Sequence, residues 1–295
     1  MSRRGAVLFA SMCVIWGLPY LLIKVSVRHL EPATLVFCRT AIGSLILVPI
    51  AAARGELRPL VAGWRWIVVY TVVELGIPWV LLSTAEQRLP SSLSGLLVAA
   101  VPLVGAALSW SLGAHDPLGG RGLAGLLVGL AGVGALVGFD VSGGDAGSVG
   151  LIAVVVVGYA LGPIVLARRL AALPSLGVVA ASLVLCSAVY APFALTHLPS
   201  TAPPARVTAA VVVLGVVCTA LAFVLFLHLI AEIGPVRATV ITYVNPAVAV
   251  VLGVAFLHEH FGIGTAIGFV LILLGSSLAT RARRSGPVLA EVAEP

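Results

Sequence analysis

The sequence has 295 residues, of which 60% are hydrophobic and only 9% are charged. Because a soluble domain carries about 25% charged residues, lipid must be the solvent for most of the surface of this chain. The formal net charge is +6, but the basic residues are scattered singly or in twos and threes between apolar runs, which argues against nucleic-acid binding.

Ten apolar segments follow one another along the chain with short connections between them. In hydrocarbon the backbone polar groups must bond within each segment, and a helix needs about 20 residues to cross a bilayer. Because barrel strands would instead alternate in hydrophobicity, we predict an all-α polytopic membrane protein with ten transmembrane helices. The segments lie at about residues 5–27, 32–53, 65–86, 91–113, 120–139, 148–168, 175–196, 206–230, 236–257 and 262–280.

The distribution of basic residues indicates how the chain is oriented in the membrane. With a cytoplasmic N-terminus, twelve basic residues fall at the cytoplasmic ends of the segments and three, Arg28, Arg88 and Arg206, fall at the outer ends. Cytoplasmic loops of membrane proteins carry such an excess of arginine and lysine. We therefore predict a multi-pass protein of the cytoplasmic membrane with both termini in the cytoplasm.

The two halves of the sequence carry matching prolines and glycines in the same order. The matched residues are Pro19 with Pro163, Pro102 with Pro246, and Gly125 and Gly132 with Gly268 and Gly275. The halves are therefore predicted to be structural repeats, residues 1–140 and 145–284, followed by a short cytoplasmic tail at 285–295. Because each repeat has five segments, the second repeat is predicted to be inverted relative to the first, as in many alternating-access carriers.

Two ionisable residues lie well inside predicted spans. A charge there costs about 2.5–3.5 kcal/mol at the helix centre on insertion scales, so it must face a cavity or a partner. Glu74, near the middle of the third segment, is either a substrate-amine or proton site or a buried structural glutamate. Arg39, in the second segment, either pairs with Glu74 or meets a substrate carboxylate. Pro78 cannot donate to the Glu74 carbonyl, so the helix is predicted to be loosened there.

Four mid-span prolines predict helix breaks or gating points beside a cavity, because each leaves a carbonyl one turn earlier without its usual donor. They are Pro19, Pro102, Pro163 and Pro246. Aromatic and amide side chains at a similar depth are candidates for lining that cavity, with a packing role as the alternative for each. The candidates are Trp16, Tyr20, Trp79, Tyr159, Tyr243 and Asn245. As a set they suit a zwitterion with an apolar or aromatic side chain.

Motifs in both halves resemble those of the EamA-type transporters of the drug/metabolite transporter superfamily. The first half carries Ile15-Trp16-Gly17 with Tyr20 and Lys24, followed by Pro32 and Arg39. The second half carries Leu229-Ile230, Gly234, Ala238, Tyr243, Pro246, Gly253, His258-Glu259, Gly268 and Gly275. One departure lies at the end of the fourth segment, where His115-Asp116 replaces the glutamate frequent in the family. The resemblance implies export or exchange of amino acids or related metabolites without ATP.

The sequence has no phosphate-cradling loop, no hydrolase motif and no cysteine or histidine pattern at metal-ligand spacing. We therefore predict no enzyme activity, cofactor or metal, and we interpret His258-Glu259-His260 as a solvated helix end. We predict that the protein lies in the lipid bilayer and functions as a secondary-active carrier for a small-molecule substrate. Protons are a candidate coupling ion. A sugar-phosphate or nucleotide-sugar exchanger, and a non-transporting sensor or complex subunit, are the alternatives, and the sequence allows a monomer or a homodimer.

Overall fold

The protein folds into helices. Its structure is a computed structural model that describes residues 2–111, 120–140, 146–197, 199, 201–234, 238, 240–260 and 262–281. Within these residues there are ten long helices and no strand. The helices are α1 (Arg3–Ser26), α2 (Pro32–Ala53), α3 (Arg58–Ala85), α4 (Ser91–Ser111), α5 (Gly120–Asp140), α6 (Ala146–Arg169), α7 (Ser175–Thr196), α8 (Ala205–Ile233), α9 (Ile241–Leu257) and α10 (Ile263–Arg281).

The helices are apolar enough to span a membrane. Eight of them meet the length of a membrane span, whereas α9 and the apolar part of α10, Ile263–Leu278, are somewhat shorter. Large hydrophobic side chains also cover the outer surface; examples are Leu45, Leu130, Val189 and Phe256. An apolar exterior around an apolar core is what lipid as a solvent requires. The predicted all-helical membrane fold is confirmed.

The two largest differences from the predicted helix bounds lie at the starts of α3 and α9. α3 begins at Arg58 rather than near residue 65, because Arg58–Gly63 forms a tight 3-10 turn that leads directly into the span. α9 begins at Ile241 rather than near residue 236. Residues 235–237 and 239 lie outside the described part of the chain.

α1 is interrupted near its middle, beside the first mid-span proline. The regular helix stops at Ile15, and the N–H of Gly17 donates to the carbonyl of Val14 at 3.0 Å instead of reaching Cys13 one residue earlier. Pro19 then lies in the first turn of the continuing helix, where its missing N–H is tolerated. The break leaves the Cys13 carbonyl available to a side chain from another helix.

The other mid-span prolines differ between the two halves. α4 is broken at Ala99 and Ala100, immediately before the turn that contains Pro102. In the second half, α6 and α9 continue without interruption through Pro163 and Pro246. The two breaks therefore occur in the first half, among the residues that the structure describes.

The third helix of each half contains one widened, π-helical turn. In α3 it covers Thr71–Gly76, and in α8 it covers Val216–Leu221. Pro78 accounts for the first, since its ring removes a donor one turn after Glu74, and the predicted loosening at that point is confirmed. Such turns are frequent at functional sites. Glu74 and Thr219 each occupy the fourth position of their π-turn, so they are equivalent residues of the two halves.

The two halves pack against each other helix by helix. α2 lies against α7, α4 against α9, and α5 against α10, so equivalent helices of the two halves are neighbours. α3, the third helix of the first half, packs on α6, the first helix of the second half. In the same way α8, the third helix of the second half, packs on α1, the first helix of the first half. This arrangement is the one expected for two repeats related by an approximate two-fold axis. It places the first four helices of each half around the centre of the molecule.

α5 and α10 cross at their glycines so closely that the backbones touch. A Cβ atom on Gly275 would lie 2.6 Å from the carbonyl oxygen of Gly125 and 2.6 Å from the Cα atom of Gly129. A Cβ on Gly132 would lie 2.8 Å from the carbonyl oxygen of Gly268. Small residues at a crossing allow this approach in a membrane, where van der Waals contact rather than water exclusion holds helices together.

Gly275→Ala is expected to lower the free energy of unfolding by about 1–3 kcal/mol, because the added methyl group forces two backbones apart. Thermal unfolding of the purified protein in detergent measures the effect. Gly134→Ala on α5 is the matched control, since a Cβ there meets nothing within 4 Å. Alanine also has the higher helix propensity, so the control should melt at or above the wild-type temperature. Equal melting temperatures for the two variants would contradict the proposed contact.

Candidate substrate site

Arg39 of α2 is buried in the middle of the helical assembly, with 7% of its surface exposed. Its Nε donates a hydrogen bond of 2.9 Å to the hydroxyl oxygen of Thr219, and its guanidinium carbon lies 3.7 Å from the centroid of the Trp79 ring. The Thr219 hydroxyl in turn donates to the carbonyl of Leu214 at 2.8 Å. That bond fixes the Thr219 oxygen as an acceptor, so the guanidinium is held in one orientation.

The guanidinium of Arg39 keeps most of its donors available. An arginine side chain has five N–H donors, and Thr219 takes one of them. The described residues make no other hydrogen bond to this side chain and no ion pair with it. The ring face of Trp79 stabilises the charge without using a donor. The geometry therefore leaves a buried cation whose terminal nitrogens can bind an anion.

Glycines bring α2 and α8 close enough for the bond between Arg39 and Thr219. A Cβ on Gly43 of α2 would lie 2.9 Å from the Thr219 methyl carbon. A Cβ on Gly215 of α8 would lie 2.6 Å from Ile42 and 3.3 Å from the carbonyl oxygen of Arg39. The π-turn that begins just after Gly215 then presents the Thr219 hydroxyl toward α2. The first half thus supplies the cation and the second half supplies its acceptor.

Three predicted aromatic residues surround this arginine. Tyr159 of α6 packs against the hydrophobic cluster that contains Trp79 of α3. Tyr159 and Tyr20 of α1 both lie near enough to interact electrostatically with Arg39. Tyr20 and Trp79 are buried. Residues from α1, α2, α3, α6 and α8 therefore meet in one group, which we call the Arg39 group: Tyr20, Arg39, Trp79, Tyr159 and Thr219.

Glu74 lies beside the Arg39 group but is not paired with it. Its Oε2 atom is buried and has no hydrogen-bond partner among the described residues. The carboxyl group packs directly on Gly162 of α6, where a Cβ would lie 2.7 Å from the Glu74 carboxyl carbon. Tyr159 interacts electrostatically with both Glu74 and Arg39. The structure shows no ion pair between Glu74 and Arg39. The interpretations that remain for these two residues are a contact with substrate and separate structural roles.

Close packing of α3 on α6 explains the position of the Glu74 carboxyl. Gly158 and Gly162 are one turn apart on α6 and form a small-residue face. A Cβ on Gly158 would lie 2.7 Å from the Pro78 ring and would also collide with the carbonyl oxygen of Val73. The π-turn of α3 therefore fits against bare backbone, which leaves no room for another side chain between Glu74 and α6.

The remaining predicted side chains lie at other contacts. Trp16 packs on Phe223 and Phe226 of α8, with ring centroids 6.1 and 4.7 Å away. Asn245 of α9 is buried, and with its amide nitrogen turned toward α1 it donates to the Cys13 carbonyl at 3.1 Å. It thereby satisfies the carbonyl that the break in α1 leaves open. The hydroxyl of Tyr243 donates to the Ser276 carbonyl of α10 at 3.4 Å.

The prolines proposed as gating points are distributed as follows. Pro19 and Pro246 are buried, Pro102 is half-buried, and Pro163 is exposed on the outer side of α6. Pro19 is followed directly by Tyr20, a member of the Arg39 group. Of the four, Pro19 is therefore the one that directly precedes a member of the Arg39 group in the sequence.

Comparison with known proteins identifies the family. A model of the EamA-like transporter family matches residues 3–138 and again residues 147–281. The chain belongs to the EamA-like transporter family. Each match covers one half of the helical fold, so the chain contains two EamA-like units. The resemblance predicted from the motifs is confirmed, and the protein is an integral multi-pass membrane transporter rather than an enzyme.

Named relatives of this EamA-like chain are also transporters. The uncharacterized transporter YvbV of Bacillus subtilis strain 168 is 24% identical, over 92% of this chain and 90% of its own length. The uncharacterized inner membrane transporter YedA of Escherichia coli strain K12 is 29% identical, over 92% of this chain and 90% of its own length. A protein of known crystal structure superposes with a TM-score of 0.66, covering 96% of this chain and 99% of its own, at 24% identity. That likeness concerns the fold alone.

A second polar group fastens the connection between α3 and α4 of this EamA-like chain. Lys24 of α1 donates from Nζ to the carbonyls of Glu86 and Leu89 at 2.6 and 2.8 Å. The Glu86 carboxyl is fully buried, and neither of its oxygens has a hydrogen-bond partner among the described residues. Burial raises the pKa of the Glu86 carboxyl well above its usual range, the Lys24 ammonium opposes this shift, and the Glu259 carboxylate adds to it. This group was not foreseen from the sequence.

Glu259, a residue of the EamA-like motif, caps α4 rather than ending in solvent. Its two carboxylate oxygens accept the backbone N–H groups of Ser91 and Ser92 at 2.7 and 2.9 Å. The chain turns back for this contact at His258, which has a left-handed φ of 55°. A carboxylate on the first N–H groups of a helix is stabilised by hydrogen bonds and by the helix dipole. The interpretation of this residue as part of a solvated end is corrected accordingly.

Glu259→Ala is expected to destabilise the protein by about 1–2 kcal/mol, because two N–H groups of α4 lose their acceptor. Glu259→Gln should cost less, since its one amide oxygen still accepts a hydrogen bond. Melting temperatures in detergent measure both effects. His260→Gln, at an exposed neighbouring position, is the control and should leave the melting temperature unchanged. If Glu259→Ala melted with the control, the cap would not contribute to stability.

Proposed function

We propose that the protein is a secondary-active carrier that moves a small zwitterionic metabolite, an amino acid or a related compound, across the cytoplasmic membrane by alternating access. One observation carries the proposal: the buried cation of Arg39 and the carboxyl group of Glu74, whose Oε2 is buried, both lie near Tyr159 and are not paired with each other. A transporter that keeps two such groups apart inside the membrane presents a site for a ligand with two opposite charges.

The energetic argument begins with the cost of burying charge. An ionised group in the membrane interior is expensive unless a partner neutralises it. In our proposal the substrate carboxylate binds the free terminal nitrogens of Arg39, where two parallel hydrogen bonds are possible. The substrate ammonium group binds the Glu74 carboxylate from the side that does not face Gly162. In the empty carrier, a proton on Glu74 would replace the ammonium group, which makes the proton the candidate coupling ion.

The aromatic members of the Arg39 group define the rest of the proposed site. Trp79 and Tyr20 are apolar over most of their surface and would contact an apolar or aromatic substrate side chain. Tyr159 packs against the cluster that contains Trp79. One cation, one carboxyl group and a few aromatic side chains suit an amino acid rather than a nucleotide sugar, whose phosphates call for several cations.

The architecture supports alternating access between the two halves. Two EamA-like units of five helices each pair in the reciprocal way described above, which agrees with inverted repeats. The contacts of Lys24 and Glu259 hold α1, α4 and α9 together at the connection between α3 and α4. In the proposal, opening on that side requires these contacts to separate. The arginine distribution predicts that this side is the outer one and that both termini lie in the cytoplasm.

The sugar-phosphate and nucleotide-sugar alternative lacks support in the described part of the chain. A dianionic substrate calls for several cations at mid-depth, and Arg39 is the single buried basic side chain among the described residues. Lys24 is committed to backbone carbonyls at the end of α3. No specific observation favours a sensor or a complex subunit.

Counterflow in proteoliposomes tests the proposed function. Liposomes loaded with an unlabelled pool would be given trace radiolabelled compounds, in separate arms for amino acids, polyamines and sugar phosphates. We expect label to accumulate in the amino-acid arm and to depend on the reconstituted protein. Accumulation only in the sugar-phosphate arm would overturn the substrate class. A folded protein that accumulates no label in any arm would count against carrier activity for all three classes.

A further inference from the structure

Two arginines stack on exposed tryptophans where the start of α3 meets the end of α6. The guanidinium carbon of Arg169 lies 4.5 Å from the centroid of the Trp66 ring, and that of Arg65 lies 5.6 Å from the centroid of the Trp64 ring. Trp64 is 58% exposed and Trp66 is 38% exposed. We call these four residues the Trp–Arg surface. It lies away from the Arg39 group, and transport does not explain it.

The cations of the Trp–Arg surface are not neutralised by the protein. Neither Arg65 nor Arg169 forms an ion pair with a carboxylate in the part of the chain that the structure describes. The nearby acidic residue Glu56 is already engaged, because its Oε2 accepts the N–H of Gly177 at the start of α7 at 3.0 Å. The tryptophan rings stabilise the guanidinium groups but leave their N–H donors free. The surface therefore has the capacity to bind an anion.

An apolar strip continues from this surface along α3. Val68, Val69 and Val72 are exposed on the one or two turns that follow Trp66. Tryptophans mark the interface of a membrane, and arginines beside them reach the headgroup layer. The same helix thus offers cationic donors at headgroup depth and an apolar strip at acyl-chain depth. A soluble anion would use only the first of these features, whereas a phospholipid would use both.

We propose that the Trp–Arg surface is a binding site for an anionic phospholipid. The headgroup phosphate accepts hydrogen bonds from Arg65 and Arg169, whose planar donors match phosphate geometry. The acyl chains lie along Val68 and Val72. Because Leu170, just after the end of α6, belongs to the same hydrophobic cluster as Leu60 and Ile67 of α3, a lipid bound here bridges two helices of different halves.

Thermal unfolding of the full chain in detergent tests the site with added phosphatidylglycerol, phosphatidylcholine of the same acyl chains, or inorganic phosphate. We expect phosphatidylglycerol to raise the melting temperature by several degrees more than either other addition. The double variant Arg65→Gln with Arg169→Gln should lose this difference. The charge-matched control, Arg88→Gln with Arg206→Gln, changes two exposed arginines elsewhere and should keep it.

Native mass spectrometry of the wild type gives a second readout that does not depend on variant stability. It should show phosphatidylglycerol retained in preference to phosphatidylcholine. Equal effects of the two lipids, or an undiminished phosphatidylglycerol effect in the Arg65 and Arg169 variant, would overturn the proposal. Stabilisation by inorganic phosphate equal to that by phosphatidylglycerol would also overturn it, in favour of a soluble anion.

Discussion

Arg39→Ala is expected to reduce counterflow at low substrate concentration by about 10- to 100-fold, because the substrate loses a hydrogen-bonded contact with a charged group. The fold should survive the change. Removing one member of a buried ion pair leaves a lone charge behind, but Arg39 is bound by the neutral Thr219 and stacked on Trp79. Thr219 also keeps its own bond to the Leu214 carbonyl. The measurement is the concentration dependence of counterflow in proteoliposomes.

Arg39→Lys separates charge from geometry in the same assay. Lysine keeps the positive charge but has no planar group to stack on Trp79 and no fork of donors for a carboxylate. We expect an intermediate loss that appears mainly as a raised KM. Arg206→Ala, at an exposed arginine, is the control for a change in overall charge and should transport normally. Normal transport by a folded Arg39→Ala protein would remove this residue from the site.

Gly162→Ala is expected to reduce transport at least about tenfold, as severely as Glu74→Gln, although the residue carries no functional group. The added Cβ would collide with Oε2 of Glu74 and would lie 3.0 Å from the Glu74 Cβ atom, so the carboxyl group has to swing away. A displacement of about 1 Å at a binding group costs a large factor in rate. Counterflow of Glu74→Gln and Gly162→Ala, run side by side, measures both effects.

Gly150→Ala provides the matched control on the same helix. A Cβ at Gly150 meets nothing within 4 Å, so this variant adds the same methyl group to α6 without touching Glu74. It should transport like the wild type. If Gly162→Ala also transported normally while Glu74→Gln did not, the carboxyl group would function in a position other than the one in the structure.

The helices could be predicted because lipid imposes a simple rule on the sequence. Ten apolar runs of nearly bilayer length leave few other solutions, and the predicted bounds of α2 and α7 agree with the structure to the residue. The weaker predictions lay at helix ends. The 3-10 turn Arg58–Gly63 has three apolar residues between a proline and a glycine, a composition from which hydropathy predicts neither a span nor a loop.

The candidate site could be predicted only in part. The sequence indicates how deep a residue lies in the membrane, but it does not indicate which neighbouring helix the side chain faces. The sequence predicts Tyr20, Trp79 and Tyr159 at the depth of the mid-span prolines, and the structure places all three near Arg39. Trp16 lies at a similar depth but turns toward the phenylalanines of α8. Thr219 was missed because a threonine within an apolar run carries no signal until α8 is packed on α2.

The contacts of Glu259 were missed for a related reason. An acidic residue at a helix end is usually solvated, and the sequence cannot show that the N–H groups of Ser91 and Ser92 lie opposite it. The departure His115-Asp116, where the first half lacks the equivalent glutamate, lies outside the described residues. The prolines show the same limit, since matched positions in the two halves gave a break at Pro19 and an unbroken helix at Pro163.

Equilibrium binding of substrate analogues tests most directly whether Arg39 and Glu74 hold the two ends of a zwitterion. Calorimetry would compare an amino acid identified by counterflow with its amide, which lacks the carboxylate, and with its deaminated acid, which lacks the ammonium group. The wild type should bind the amino acid most tightly. Arg39→Ala should lose the preference over the amide, and Glu74→Gln should lose the preference over the deaminated acid. If both variants kept both preferences, the substrate would be held elsewhere, and the proposed roles of these residues would be contradicted.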